Sequence, residues 1–466
     1  MDFSQLEADV SAWDSDLRRD DKGRILRVLA NAITILGHDD AWQCAAPDGT
    51  PHHRIAWDAF SSRVVFVAPP PWCSDDAPGG ARLGAVDTSE GDRARLAEPP
   101  PTLDHPRAWQ DNDDARLAAW FARRWALDFN SPLAAEAARV VADRWPTHPV
   151  RAYLRPLEHD GTLRVDRWLA DYLGADPTPY TLAVGRWWLI SAVARVMIPG
   201  CKADHVLILE GAQGRRKSTA LRTLVGDAWF SDTPAEIGDK DAFLAMRGRW
   251  VIELAELDAL SRTEASKAKA FFSSPTDTYR PPYGRQTITT ARQCVFAGTV
   301  NHGSYLRDET GARRFWPVEV ARRGPIDLDR LAADRDQIWA EARDLFAQGS
   351  RWWPEHEHEH TAARAEQDTR YQGDEWEAKV ASFASPFADS PNGVTVGAVL
   401  AGALDVPADR WTLADQRRVG ACLGRLGLVR VQRRTAGVRS WCYVSPSVLE
   451  AARDLDASIA ASPAES

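Results

Sequence analysis

The stretch HVLILEGAQGRRKSTALRTL, residues 205–224, constrains this chain more than any other. An apolar strand, a glycine-bearing turn and a helix-forming run follow directly on one another, an order that aims the free N–H groups of a helix terminus at whatever lies above the turn. Gly211, Lys217 and Ser218 meet the phosphate-loop pattern G-x-x-x-x-G-K-[ST], but Arg216 stands where its second glycine belongs. On this pattern Gly211 makes the tight turn and Gly214 lets backbone N–H groups approach phosphate oxygens. Lys217 reaches the β/γ-phosphates of ATP and the Ser218 hydroxyl ligates Mg²⁺, with Gln213 and Thr219 completing the nucleotide-contacting set. Arg216 directly precedes the helix, where right-handed dihedrals suit any L-residue, so the sequence predicts that it is tolerated there and tunes nucleotide binding.

The runs that follow fit the same chemistry. RGRWVIELAEL is an apolar strand ending in Glu253 and Glu256, one acid to hold Mg²⁺ (assigned to Glu253) and one to orient an attacking water. CVFAGTVN is a second buried strand that ends in Asn301, placed to read the γ-phosphate. DETGARRFWPVEV then brings Arg313 and Arg314 just ahead of another strand, where either can act as an arginine finger on a neighbouring subunit.

At 466 residues, 44% apolar and 26% charged, the chain is long enough for several folded units. Its patterning divides it into an N-terminal α+β region with a Pro/Gly-rich loop (1–105), a helical lead-in (106–184), an α/β core (185–350), a charged linker or helix (351–378), a winged-helix-like domain (379–450) and a tail (451–466). The six cysteines form no C-x-x-C pair, which excludes a zinc ribbon and fits a reducing cytoplasm, and no apolar run reaches membrane-spanning length. The acidic start of the chain is unlike a signal peptide.

Net charge is −9, yet eight arginines lie between Arg410 and Arg439, a local basic field of the kind that meets nucleic-acid phosphates. A helix followed by a hairpin places Arg417 and Arg418 on the helix and Arg433 and Arg434 on the hairpin, all candidate DNA contacts. His356, His358 and His360 alternate within a polar stretch and read as a solvated segment; the tryptophan pairs at 187–188 and 352–353 read as packing.

Taken in order, GAQGRRKSTALR, WVIELAEL, FFSSPTDTYRPPYGR, FAGTVN and DETGARRFWPVEV resemble the virulence-associated protein E family of phage and mobile-element ATPases, itself related to superfamily III helicases. The resemblance is specific over about residues 185–345. It implies an AAA+/superfamily III-like P-loop core with ATP-dependent helicase or translocase activity that assembles as a homo-oligomeric ring on single-stranded or forked DNA during replication. Carried over by position, Lys217 and Ser218 are the Walker A pair, Glu253 and Glu256 the acidic strand, Asn301 the sensor, and Arg313 with Arg314 the finger region. Asp277, Arg280, Tyr283 and Arg285 match a loop that points towards the DNA channel. The first 150 residues show no primase-type acidic pair beside a histidine, so primase activity is expected to be absent or supplied by a separate protein. The competing expectation is a nucleotide-gated DNA scaffold that hydrolyses slowly because of Arg216.

Overall fold

A computed structural model describes residues 13–73, 101–232, 240–254, 270–280, 286–301, 313–370, 374–435 and 438–451. The chain divides into two compact units, Met1–Arg370 and Tyr371–Ser466.

The first unit contains α1 (Leu29–His38) and the hairpin β1 (Gln43–Ala45) and β2 (Pro51–His53). A mixed sheet of order β5-β4-β3-β6 follows, built from β3 (Ile55–Asp58), β4 (Arg63–Phe66), β5 (Arg107–Ala108) and β6 (Pro146–Thr147). Between β5 and β6 run α2 (Asp111–Trp125) and α3 (Ser131–Asp143). Acids in the first turn of α2 and arginines in its last complement the helix dipole. The Asn130 side chain caps α3 by accepting from Leu133 N–H. Leu117, Phe121, Ala138 and Val141 of these helices pack with Ile35, Trp42, Ile55 and Phe66 in one core. The expected boundary at residue 105 therefore runs through a shared core, because these helices cover the face that the first strands leave apolar.

α4 (Pro149–Leu154) and α5 (Pro179–Met197) lead into the second core of this unit. α5 is apolar around most of its circumference and is buried to match. Its Trp188 is fully buried and donates from Nε1 to Phe296 O at 3.0 Å, while Trp250 Nε1 donates to Ala192 O at 2.8 Å. Both indoles are structural pins.

Against α5 lies a five-stranded, wholly parallel sheet of order β13-β7-β12-β9-β8. Its strands are β7 (Val206–Glu210), β8 (Phe230–Ser231), β9 (Val251–Leu254), β12 (Val295–Val300) and β13 (Phe315–Glu319). All five residues of β7 are buried, as expected of a central parallel strand covered on both faces. A separate antiparallel hairpin, β10 (Thr276–Tyr279) and β11 (Ile288–Ala291), projects between β9 and β12 in sequence. Helices of this part include α6 (Lys217–Val225), α7 (Leu328–Ala347) and α8 (Glu357–Thr369). His358 and His360 lie on α8 and, with His356, are exposed, so the alternating histidines belong to a helix and not to a strand.

The second unit contains α9 (Glu377–Ala384), α10 (Val396–Gly402), α11 (Leu413–Arg425) and the hairpin β14 (Val429–Thr435) and β15 (Val438–Val444). Val380, Val399, Leu400, Val419 and Leu423 form its core. Thr412 and Asp415 cap α11 reciprocally. Val394 bridges to Tyr443 as a one-residue third strand. Gly393 is left-handed at φ 61°, and a Cβ there would run into the Tyr443 carbonyl, so this approach requires glycine.

Candidate active site

Because the large sheet is entirely parallel, the carboxyl ends of β7, β9 and β12 open onto one edge. β7, first in sequence, lies between β12 and β13, so the chain departs on either side of it and leaves a crevice above its carboxyl end. The loop 211–216 occupies that position. Gly211 and Gly214 have φ of 154° and 81°, and a Cβ on Gly211 would press on Val320 O at 3.3 Å. Residues 212–216 are exposed, Gln213 among them, as is Thr219 in the first turn of α6.

Arg216 corrects an expectation. It is the residue before the helix and has φ 62° and ψ 27°, a left-handed conformation, where right-handed dihedrals are predicted from sequence. The glycine of the phosphate-loop pattern would adopt this backbone without penalty, whereas an L-residue with a Cβ is disfavoured by about 1–2 kcal/mol. No side chain caps α6, so its first-turn N–H groups face the loop.

Lys217 is 7% exposed. Its Nζ donates to Gly211 O at 2.6 Å, Ala212 O at 3.2 Å and Asn301 Oδ1 at 3.4 Å. Burial pulls its pKa below the ordinary lysine value, and the Glu253 carboxylate partly offsets that. Glu253 is 3% exposed. Its Oε1 accepts from Ser218 Oγ at 2.7 Å and from Thr299 Oγ1 at 2.6 Å, while the buried Oε2 has no hydrogen-bond partner among the described residues. A buried carboxylate oxygen left in this state is an acceptor awaiting a donor or a cation. With the Ser218 hydroxyl alongside, the oxygen donors have the hardness that Mg²⁺ requires.

Two partners of the site escaped the sequence reading. Thr299 lies two residues before Asn301, and strand alternation puts both on the same face, a signal present in the letters AGTVN. Glu210, the last residue of β7, is buried and accepts from Arg370 Nε at 2.7 Å on both carboxylate oxygens. Arg370 is 160 residues away, and no local pattern announces that pairing.

The other expected residues are dispersed. Glu256, Tyr283 and Arg285 lie outside the described residues. Arg313 and Arg314 precede β13, at the opposite end of the sheet from Lys217, a separation of about 16 Å for a five-residue strand. Neither can reach the loop of its own chain. Arg313 is exposed, whereas Arg314 donates from Nε to Ser273 Oγ at 2.9 Å and lies 3.7 Å from Asp204. Asp277 is buried against Arg292, which donates to both of its oxygens, so it braces the base of the β10–β11 hairpin. Arg280 is exposed at the end of β10. In the second unit Arg417 is exposed, while Arg418 forks onto Asp374 at 2.7–3.0 Å and stacks on Trp376 at 3.8 Å. Arg433 shares the inward face of its hairpin with Cys442 and Val444, and Arg434 pairs with Arg439 across the hairpin.

Residues 154–372, which span the whole of this site, match the virulence-associated protein E-like domain. The chain carries a virulence-associated protein E-like domain. No curated protein matches the chain. Among solved structures, the apo NrS-1 C-terminal region (305–718) aligns at a TM-score of 0.44 and 11% identity over 84% of this chain and 95% of that one. The A form of the apo NrS-1 C-terminal region aligns at a TM-score of 0.36 and 12% identity over 63% and 78%. Beyond the ends of the virulence-associated protein E-like domain lie the α1–α3 core and the entire second unit bar its first two residues. Among the described residues no helix is long and apolar enough to cross a membrane.

Proposed function

We propose that the virulence-associated protein E-like domain is a P-loop ATPase that acts on DNA in the replication of a phage or mobile element. The observation that carries this reading is the convergence of Lys217, Ser218, Glu253, Thr299 and Asn301 beside a glycine loop and an uncapped helix N-terminus. Lys217 would exchange the Gly211 and Ala212 carbonyls for β/γ-phosphate oxygens, with little reorganisation because its ammonium is already held there. Ser218 and Glu253 would hold Mg²⁺, the Glu253 Oε2 atom supplying the free acceptor, and Thr299 would fix the carboxylate's orientation. Mg²⁺ bound there supplies neutralisation of the charge that develops on the phosphate oxygens. Glu256 would orient the water and Asn301 would contact the γ-phosphate.

Arg313 would complete the site of a neighbouring subunit, which calls for a homo-oligomeric ring. Single-stranded or forked DNA is the expected partner, primase activity would come from a separate protein, and the setting is the cytoplasm. Three helices, a one-residue bridge and a hairpin support reading the second unit as a winged helix. The left-handed Arg216 favours one rival, a nucleotide-gated DNA scaffold with slow hydrolysis. ATP binding and turnover with and without single-stranded DNA, measured together with mass in solution, separate them. DNA-stimulated turnover by an oligomer supports the ATPase; nucleotide binding without turnover supports the scaffold; no nucleotide binding overturns both.

A further inference from the structure

We propose that the outward face of the β14–β15 hairpin is a base-stacking platform for single-stranded nucleic acid, centred on Trp441. The proposal deepens the reading that the chain acts on DNA and names the residues and strand type for its second unit. Register divides the hairpin into two faces. Val444 and Cys442 are buried on one, with Val431 and Arg433 opposite Cys442 and Ser440. On the other, Arg430 pairs with Tyr443, whose ring packs on the unit's core, and Gln432 with Trp441, so the solvent-facing part of this face is Arg430, Gln432, Trp441 and Arg439.

This second face is where the basic field meets solvent. Trp441 is 51% exposed, an unusual position for the largest side chain in a small unit with an apolar core of its own. The Arg430 guanidinium lies 4.4 Å from the centroid of its ring, and Arg430, Gln432 and Arg439 are all exposed. The two strands contain four arginines and no aspartate or glutamate. An exposed indole with a guanidinium over its ring, on two strands that contain no acid, suits a ligand that alternates flat π-faces with negative charge, which is a single strand. A duplex buries its base faces within the stack and could use only the arginines. An apolar protein partner would find no use for that charge.

The test is binding of the full-length chain to an oligothymidylate of about 20 nucleotides, long enough to exceed one module's footprint, and to a duplex of equal length across a salt titration. Trp441→Ala is expected to weaken single-strand binding by about 5- to 150-fold, the range one stacked base commands, with the salt slope unchanged and duplex binding little altered. Trp441→Phe, which keeps a π-face, should recover most of the affinity. Arg439→Ala should instead lower the salt slope by about 0.7. Single-strand affinity of Trp441→Ala equal to that of the parent, or an equal loss on duplex, would overturn the platform. ATP turnover is the independent readout. Trp441-dependent binding by a chain that hydrolyses no ATP sinks the ATPase and leaves the platform standing, and DNA-stimulated turnover with a normal Trp441→Ala variant does the reverse.

Discussion

The two units handle charge in opposite ways. At the carboxyl edge of the large sheet three charged side chains are buried and already engaged: Lys217 with two carbonyls, Glu253 with two hydroxyls, Glu210 with Arg370. On the β14–β15 hairpin Arg430 and Arg439 stand in solvent beside an exposed indole. A compact, densely charged ligand is best met by pre-oriented groups in a low-dielectric recess, because each interaction is stronger there and needs no rearrangement. A long flexible polymer is better met by an open face, where many weak contacts accumulate and salt tunes the total. One chain holds both solutions, and the contrast can be tested from each side.

The largest effect expected concerns the boundary between copies of the first unit. If the phosphate site is completed in trans, Arg313→Ala should lower ATP turnover by a factor on the order of 10³, and mixing it with Lys217→Ala chains should restore part of it, since a mixed interface pairs an intact loop with an intact finger. Arg314→Ala should instead lose stability, its side chain being committed to Ser273 and Asp204. Recovery with Arg314→Ala and none with Arg313→Ala would reverse the assignment.

Acid should separate the two units next. Burial lowers the pKa of His53, His148 and His205 to about 4, whereas an unfolded histidine titrates near 6.5. Between those values the unfolded chain binds the additional protons, so stability of the first unit falls as pH drops from about 6.5 towards 4, by on the order of 3 kcal/mol for the fully buried His53. Burial raises the carboxyl pKa of Asp39 and Asp58 and works the other way at the acidic end of this window. Residues 371–466 contain no histidine. Hydrogen exchange followed by mass spectrometry over this range should therefore show the first unit losing protection while the second keeps it; equal loss in both would break the comparison.

The smallest effect belongs to Arg216→Gly. Removing the Cβ from a left-handed position should relieve about 1–2 kcal/mol of strain in the loop and raise nucleotide affinity or turnover by up to roughly tenfold. A fall in turnover would mean that the guanidinium itself takes part.

What the sequence made legible is local. The strand, turn and helix at 205–224 follow from apolar runs and glycine punctuation, and the acid and asparagine near the ends of β9 and β12 fall where continuous apolar runs stop. The handedness of Arg216 was not legible because it turns on one residue: α6 begins at Lys217, which leaves Arg216 as its cap, with a backbone set by the loop and not by the helix. Strand faces depend on register in the same unforgiving way. A shift of one residue exchanges Arg433, which faces inward, with Arg430 and Trp441, which face out. Long-range pairs such as Glu210 with Arg370 and Asp277 with Arg292 remove candidate cations and acids from ligand duty, and only tertiary structure reveals them.

The measurement that bears most directly on the account is equilibrium binding of ATP with Mg²⁺ to the full-length chain and to its Lys217→Ala variant, each confirmed folded by circular dichroism. Lys217 is the cation held among the loop carbonyls at the helix N-terminus. Its loss should reduce affinity by at least about 100-fold, as expected when a charge-assisted contact to phosphate disappears from a buried site. Equal affinity in the variant would contradict a phosphate cradle at residues 211–218.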